Sequence, residues 1–196
     1  MDAELSEHQN QQGARNVSTA PFCLARPPGF DTDAEGFLFE ADSFGTSQPG
    51  YAAGDWAADG GFVGGGLSIV LGGVDGNGIT DMSGGWVYDL DLTAGAASGV
   101  VLSFRYRMTQ TPTYEYDEFS RVLVSVDGAG VGRGAKGYVD HIGGDGQGSQ
   151  GNSSSYAPTT DWQQAELYLG DLDAGLHEIV IGGYNSKKTL ADESTV

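Results

Sequence analysis

Cysteine is nearly missing from this chain, with Cys23 the only one in 196 residues. No intramolecular disulfide can form, and a cysteine-based zinc site is excluded. Basic residues are scarce too: nine Lys and Arg stand against 27 Asp and Glu, for a net charge of −18 and a pI near 4.1. Such a field repels phosphate backbones and anionic lipid, which excludes nucleic acid as a partner. No apolar run approaches the roughly 18 residues of a membrane span, so membrane insertion is not expected. The opening MDAELSEHQNQQGARN has neither the basic n-region nor the apolar h-region of a signal peptide. No segment sustains a 3.6-residue period, so helices are not expected. There is no G-x-S-x-G, H-E-x-x-H or P-loop, which removes the commonest hydrolase and nucleotide-binding signatures. His8, His141 and His177 are scattered, and His177 falls in a strand pattern where a hydrogen-bonded structural role is expected.

Glycine, by contrast, is abundant: 33 residues, more than twice the usual share of about 7%. The glycines cluster between alternating apolar runs, which is the turn chemistry of a many-stranded protein. The length suits one domain with a real core. Residues 1–34 are polar, and they read as a flexible leader with one short strand around Phe22–Leu24. From residue 35 to 196 the texture is that of strands. Phe37, Phe39 and Ala41 alternate with Leu38, Glu40 and Asp42, and an apolar run follows from Leu67 to Leu71. In GWVYDLDL, Trp86, Tyr88, Leu90 and Leu92 share one face, with Asp89 and Asp91 on the other. In VVLSFRYRM, Val100, Leu102, Phe104, Tyr106 and Met108 form a buried face opposite Ser103, Arg105 and Arg107. Val122, Val124 and Val126 point inward in a strand that stops at the turn pair Asp127-Gly128. Further strands are expected over 137–142, 163–169 and 176–182, and a low-complexity loop over 143–155. About eight strands with turns every 8–15 residues predict an all-β antiparallel sandwich of the jelly-roll type.

Three polar constellations stand out. Asp75, Asn77 and Asp81 place oxygen side chains at alternate positions of a glycine-rich loop, a pattern that converges on one cation or else makes a tight turn. Without the terminal bidentate Glu, this is not an EF-hand. Tyr114-Glu-Tyr-Asp-Glu118 packs Glu115, Asp117 and Glu118 into four residues, and these repel one another unless a cation compensates them. That segment reads as a calcium site or as a glycan-contacting rim carrying Tyr114 and Tyr116. Read as a strand, it puts Glu115 and Asp117 on one face and Glu118 on the other. Glu115 and Asp117 then remain as an acid/base pair for a glycoside hydrolase or lyase. Glu40 and Asp42 join the candidate calcium ligands. The third constellation, residues 182–193, mixes Tyr184, Asn185, Lys187 and Lys188 with Asp192 and Glu193. It reads as a surface turn, or as a loop packed on the calcium site with Lys187 balancing carboxylates.

GITDMSGGW (78–86), VVLSFRYRMTQTPTYEYDEFSRVLVSVDG (100–128) and GLHEIVIGGYNSKKTLADEST (175–195) resemble a jelly-roll module, concanavalin-like or MAM-like, that recurs in bacterial surface adhesins and secreted proteins. The resemblance covers about residues 36–196. It implies a non-catalytic, extracellular or cell-surface module containing Ca²⁺ and binding glycan, peptide or another surface protein. The rival readings are the jelly-roll hydrolase or lyase named above and a structural spacer without ligand. The family pattern continues with one more strand ending in paired Asp, whereas this chain stops at Glu193-Ser-Thr-Val196. An open sheet edge is therefore expected, covered by the leader through Phe22, Cys23 and Leu24 or by a second copy in a homodimer.

Overall fold

The computed structural model describes residues 29–134, 136–144 and 158–196. Its strands are β1 (Leu38–Ala41), β2 (Ala52–Ala57), β3 (Gly66–Gly72), β4 (Ile79–Asp91), β5 (Ala97–Tyr106) and β6 (Phe119–Val126). They continue with β7 (Ala129–Val131), β8 (Asp140–Gly143), β9 (Gln163–Leu172), β10 (Leu176–Lys188) and β11 (Ser194–Thr195). Every pairing is antiparallel, and no α-helix occurs among the described residues. One sheet runs β1-β4-β10-β6-β7, with β8 also on β6; two smaller sheets are β11-β3-β2 and β5-β9. Residues just beyond β5 join the smaller sheets. Thr109 exchanges both backbone hydrogen bonds with Val196 (2.7 and 2.9 Å), and the Gln110 amide donates to Pro158 at 2.9 Å.

The apolar alternation read from the sequence becomes the core. Val100, Tyr106 and Met108 are buried, while Ser103, Arg105 and Arg107 are exposed. Leu90, Leu92, Val126 and Ile179 of the large sheet pack on Val100 and Leu172, and farther along Val122 and Val124 meet Tyr106, Ala165 and Leu167. The main core thus lies between the large sheet and β5–β9, an arrangement consistent with a β-sandwich. Glycine is required where the paired strands β4 and β10 approach most closely around Gly182. A Cβ on Gly182 would sit 2.3 Å from the Gly84 carbonyl oxygen and 2.7 Å from Gly85 Cα.

Several expectations are corrected. Residues 111–118 form turns, with the Tyr114 amide on the Thr111 carbonyl and the Glu118 amide on that of Glu115; the strand-face arithmetic does not apply there. Residues 184–188, expected in a turn or loop, are the end of the thirteen-residue strand β10, paired with β4 throughout. The chain end is not left unpaired. Ser194 and Thr195 lie against β3, and Thr195 bridges to Gln110. Of the expected leader, residues 29–34 hold to the sheet: the Phe30 carbonyl accepts from Trp56 Nε1 at 2.8 Å, and the Phe30 and Phe37 rings meet at 5.6 Å. The expected strand at Phe22–Leu24 and most of the loop at 143–155 lie outside the described residues.

Candidate functional site

Strand geometry turns successive side chains to opposite faces, and at the end of β10 this divides two adjacent lysines between two acidic loops. Lys187 Nζ approaches Asp117 Oδ2 (3.2 Å), Glu115 Oε2 (3.6 Å) and Glu118 Oε1 (3.7 Å). The structure thus brings all three carboxylates of 115–118 together, around an ammonium. Glu118 is wholly buried; its Oε2 accepts from the Glu115 amide, and its Oε1 has no hydrogen-bond partner. Burial pushes its pKa up to about 7, against the pull of the Glu115 amide. Burial works against the Lys187 ammonium, but the Asp117 hydrogen bond and the charges of Glu118, Asp117 and Glu115 hold its pKa above the ordinary value.

Lys188, wholly buried, serves the other loop. Its ammonium donates to the carbonyls of Asp75 (2.7 Å), Asn77 (2.9 Å) and Leu190 (3.2 Å) and lies 3.9 Å from Asp75 Oδ1. Asp75 itself accepts from the Asn77 amide (3.0 Å), Asn77 Nδ2 (2.8 Å) and the Tyr51 hydroxyl (3.0 Å). The Asn77 amide bond is the first cause holding its pKa below the usual carboxylate range. Buried Glu193 accepts from the amides of Thr189 and Leu190, which closes the turn that supplies the third carbonyl. Lys188 and Glu193 were not singled out as site residues. The available signal was the lysine pair itself, since alternation must send one of the two to each face.

The other predicted residues are dispersed. Asp81 accepts from the Tyr184 hydroxyl, and burial together with Asp81 raises that phenol to about 12. Asp42 accepts from Thr46 Oγ1 (2.6 Å) and the Ser47 amide (2.7 Å), so it caps a turn; Glu40 is exposed on β1. Tyr114 and Asn185 are corrected most clearly. Both are wholly buried and bonded to each other, and Thr195 donates to the Tyr114 hydroxyl at 3.2 Å; neither can touch a ligand from a rim. Tyr116 is 80% exposed.

Among the described residues no three His, Cys, Asp or Glu side chains are grouped to hold a metal ion. Of the expected calcium ligands, Glu115, Asp117 and Glu118 face the Lys187 ammonium, and Lys188 bonds the backbone carbonyls of Asp75 and Asn77.

A different surface carries uncommitted chemistry. On the outward face of β5–β9, the cross-strand pairs are Val101–Tyr168, Ser103–Glu166 and Arg105–Gln164. Arg105 Cζ sits 4.1 Å above the Phe62 ring, and Arg107 Cζ sits 5.2 Å from the Trp162 ring. The two rings meet edge to face at 5.9 Å. Beside them an open groove of about 670 Å³ is lined by Arg133, Gln164, Glu166 and Tyr168. Sequence alternation marks Arg105 and Arg107 as outward, but nothing in it brings Phe62 and Trp162 to them. No family model, no curated protein and no solved structure matches the chain.

Proposed function

We propose that this chain is a non-catalytic recognition module of jelly-roll topology, part of an extracellular or cell-surface bacterial protein, that binds glycan on the outward face of β5–β9. The observation that carries the reading is the cluster of exposed Phe62, Arg105 and Arg107 around half-buried Trp162, beside a polar groove. Aromatic surface with fixed polar groups is what a sugar needs, apolar on its C–H face and polar at its edge. The antiparallel large sheet facing β5–β9 across a shared core supports the sandwich on which the jelly-roll proposal builds.

The hydrolase or lyase reading is disfavoured at its own residues. Lys187 stands within 3.6 Å of Glu115 and 3.2 Å of Asp117, so the pair is engaged in ion pairs with the chain's own lysine. A ligand-free spacer gives no reason for two arginines to stack on rings when 27 carboxylates are on offer. The test is a glycan array run with the purified chain alongside a reducing-sugar assay on the glycans it retains. Retention without turnover is expected; turnover lost in Glu115→Gln contradicts the proposal.

A further inference from the structure

The deficit of positive charge makes its placement informative. Residues 29–196 hold seven Lys and Arg. Lys187 and Lys188 are consumed by the acidic loops, and Arg121 lies over the rings of Phe119 and Tyr138 with its Nε buried. Lys136 lies over Tyr138. The other three, Arg105, Arg107 and Arg133, gather on or beside the outward face of β5–β9. Arg133 Nη2 donates to the Gln164 carbonyl at 2.6 Å. Arg105 and Arg107 make no ion pair among the described residues, and both are exposed.

We propose that Arg105 and Arg107 form a carboxylate-binding pair, and that the ligand on this face is an acidic glycan bearing uronate groups. The inference rests on the recognition reading above and adds the chemical class of the ligand. Arg105 Cζ rests 4.1 Å from the Phe62 ring and Arg107 Cζ 5.2 Å from the Trp162 ring, so each guanidinium has a ring beside it while its side chain stays exposed. A planar fork held in one orientation loses little entropy when it grips a carboxylate with two parallel hydrogen bonds. Arg105 and, just beyond the end of β5, Arg107 stand two positions apart, about 6.6 Å along an extended backbone, so one short chain with successive carboxylates can engage both. The groove supplies Gln164, Glu166 and Tyr168 for sugar hydroxyls. Those amide, carboxylate and phenol groups can bond the hydroxyls of a polyhydroxylated chain, which an acidic peptide such as triglutamate lacks. A net charge of −18 repels long polyanions at a distance, so short acidic oligosaccharides are the probe of choice.

The test is isothermal titration of the full chain with trigalacturonic acid, with its methyl ester, which keeps the sugar and removes the charge, and with triglutamate. The free acid is expected to bind, and the ester roughly tenfold or more weakly. Arg105→Gln and Arg107→Gln should each weaken the acid by a similar factor, and by more than they weaken the ester, at an unchanged melting temperature. Shifts of the β5 and β9 amide resonances on titration give a second reading that needs no variant. Equal binding of acid and ester, tighter binding of triglutamate, or undiminished binding by both variants overturns the acidic-glycan assignment. If neutral sugars on the array bind through this face while trigalacturonate does not, the inference fails and the recognition reading stands. If no glycan of any kind binds, both fail.

Discussion

Lys188 does with one ammonium what a bound cation does elsewhere: it gathers carbonyl oxygens from two separate loops, 75–77 and 190, into one buried place. Lys188→Met keeps the apolar stem and leaves those carbonyls without a donor. Charge-assisted hydrogen bonds of this kind contribute about 1.5–3 kcal/mol, so a loss of roughly 3 kcal/mol in urea unfolding is expected; a loss below about 0.5 kcal/mol would count against the role. Glu118 gives a pH signature. Its folded pKa of about 7 lies above its ordinary 4.5, so the stability it contributes is fully present below pH 4.5 and is lost as pH rises through 7. The loss is on the order of 2–3 kcal/mol. His177 acts in the same direction, because its hydrogen bond with Asp127 raises its pKa. The wild type should therefore become easier to unfold as pH rises from 4.5 through 7, and Glu118→Gln should remove much of that slope. An unchanged slope contradicts the assignment.

At the scale of elements, the long pair β4–β10 holds the large sheet and delivers both lysines to their loops. Gly182 lets the paired backbones and the Phe44 ring close over it. Gly182→Ala meets backbone that cannot yield cheaply, and a loss of about 2–3 kcal/mol is expected by thermal unfolding; an unchanged melting temperature would show that the strands can spread. The legibility of the sequence also divides by element. Strands β5 and β6 were readable because bulky apolar and polar residues alternate cleanly, as at Val122, Val124 and Val126. Strand β2, AAGDWA, was not, because alanine and glycine give no contrast between faces. The segment 111–118 misled because it follows a strand pattern without a marked break, yet it folds into turns. Tyr114, Asn185 and Lys188 carry polar groups that suit a surface; their burial depends on partners some 70–110 positions away, which no local pattern records.

At the scale of the whole molecule, a chain with three carboxylates to each cation would be expected to need divalent metal. Its acidic loops are instead held by lysines. Thermal unfolding in EDTA and in millimolar Ca²⁺ should superimpose; a rise of several degrees with Ca²⁺ would restore a metal site. The scarcity of cations also explains why the face bearing Arg105 and Arg107 differs from the rest of the surface. The most direct test of that face is a glycan array run in parallel with the wild type and with Arg105→Ala/Trp162→Ala. The account predicts glycan retained by the wild type and lost by the variant at an unchanged melting temperature. Equal retention by both proteins, or none by the wild type, would contradict it.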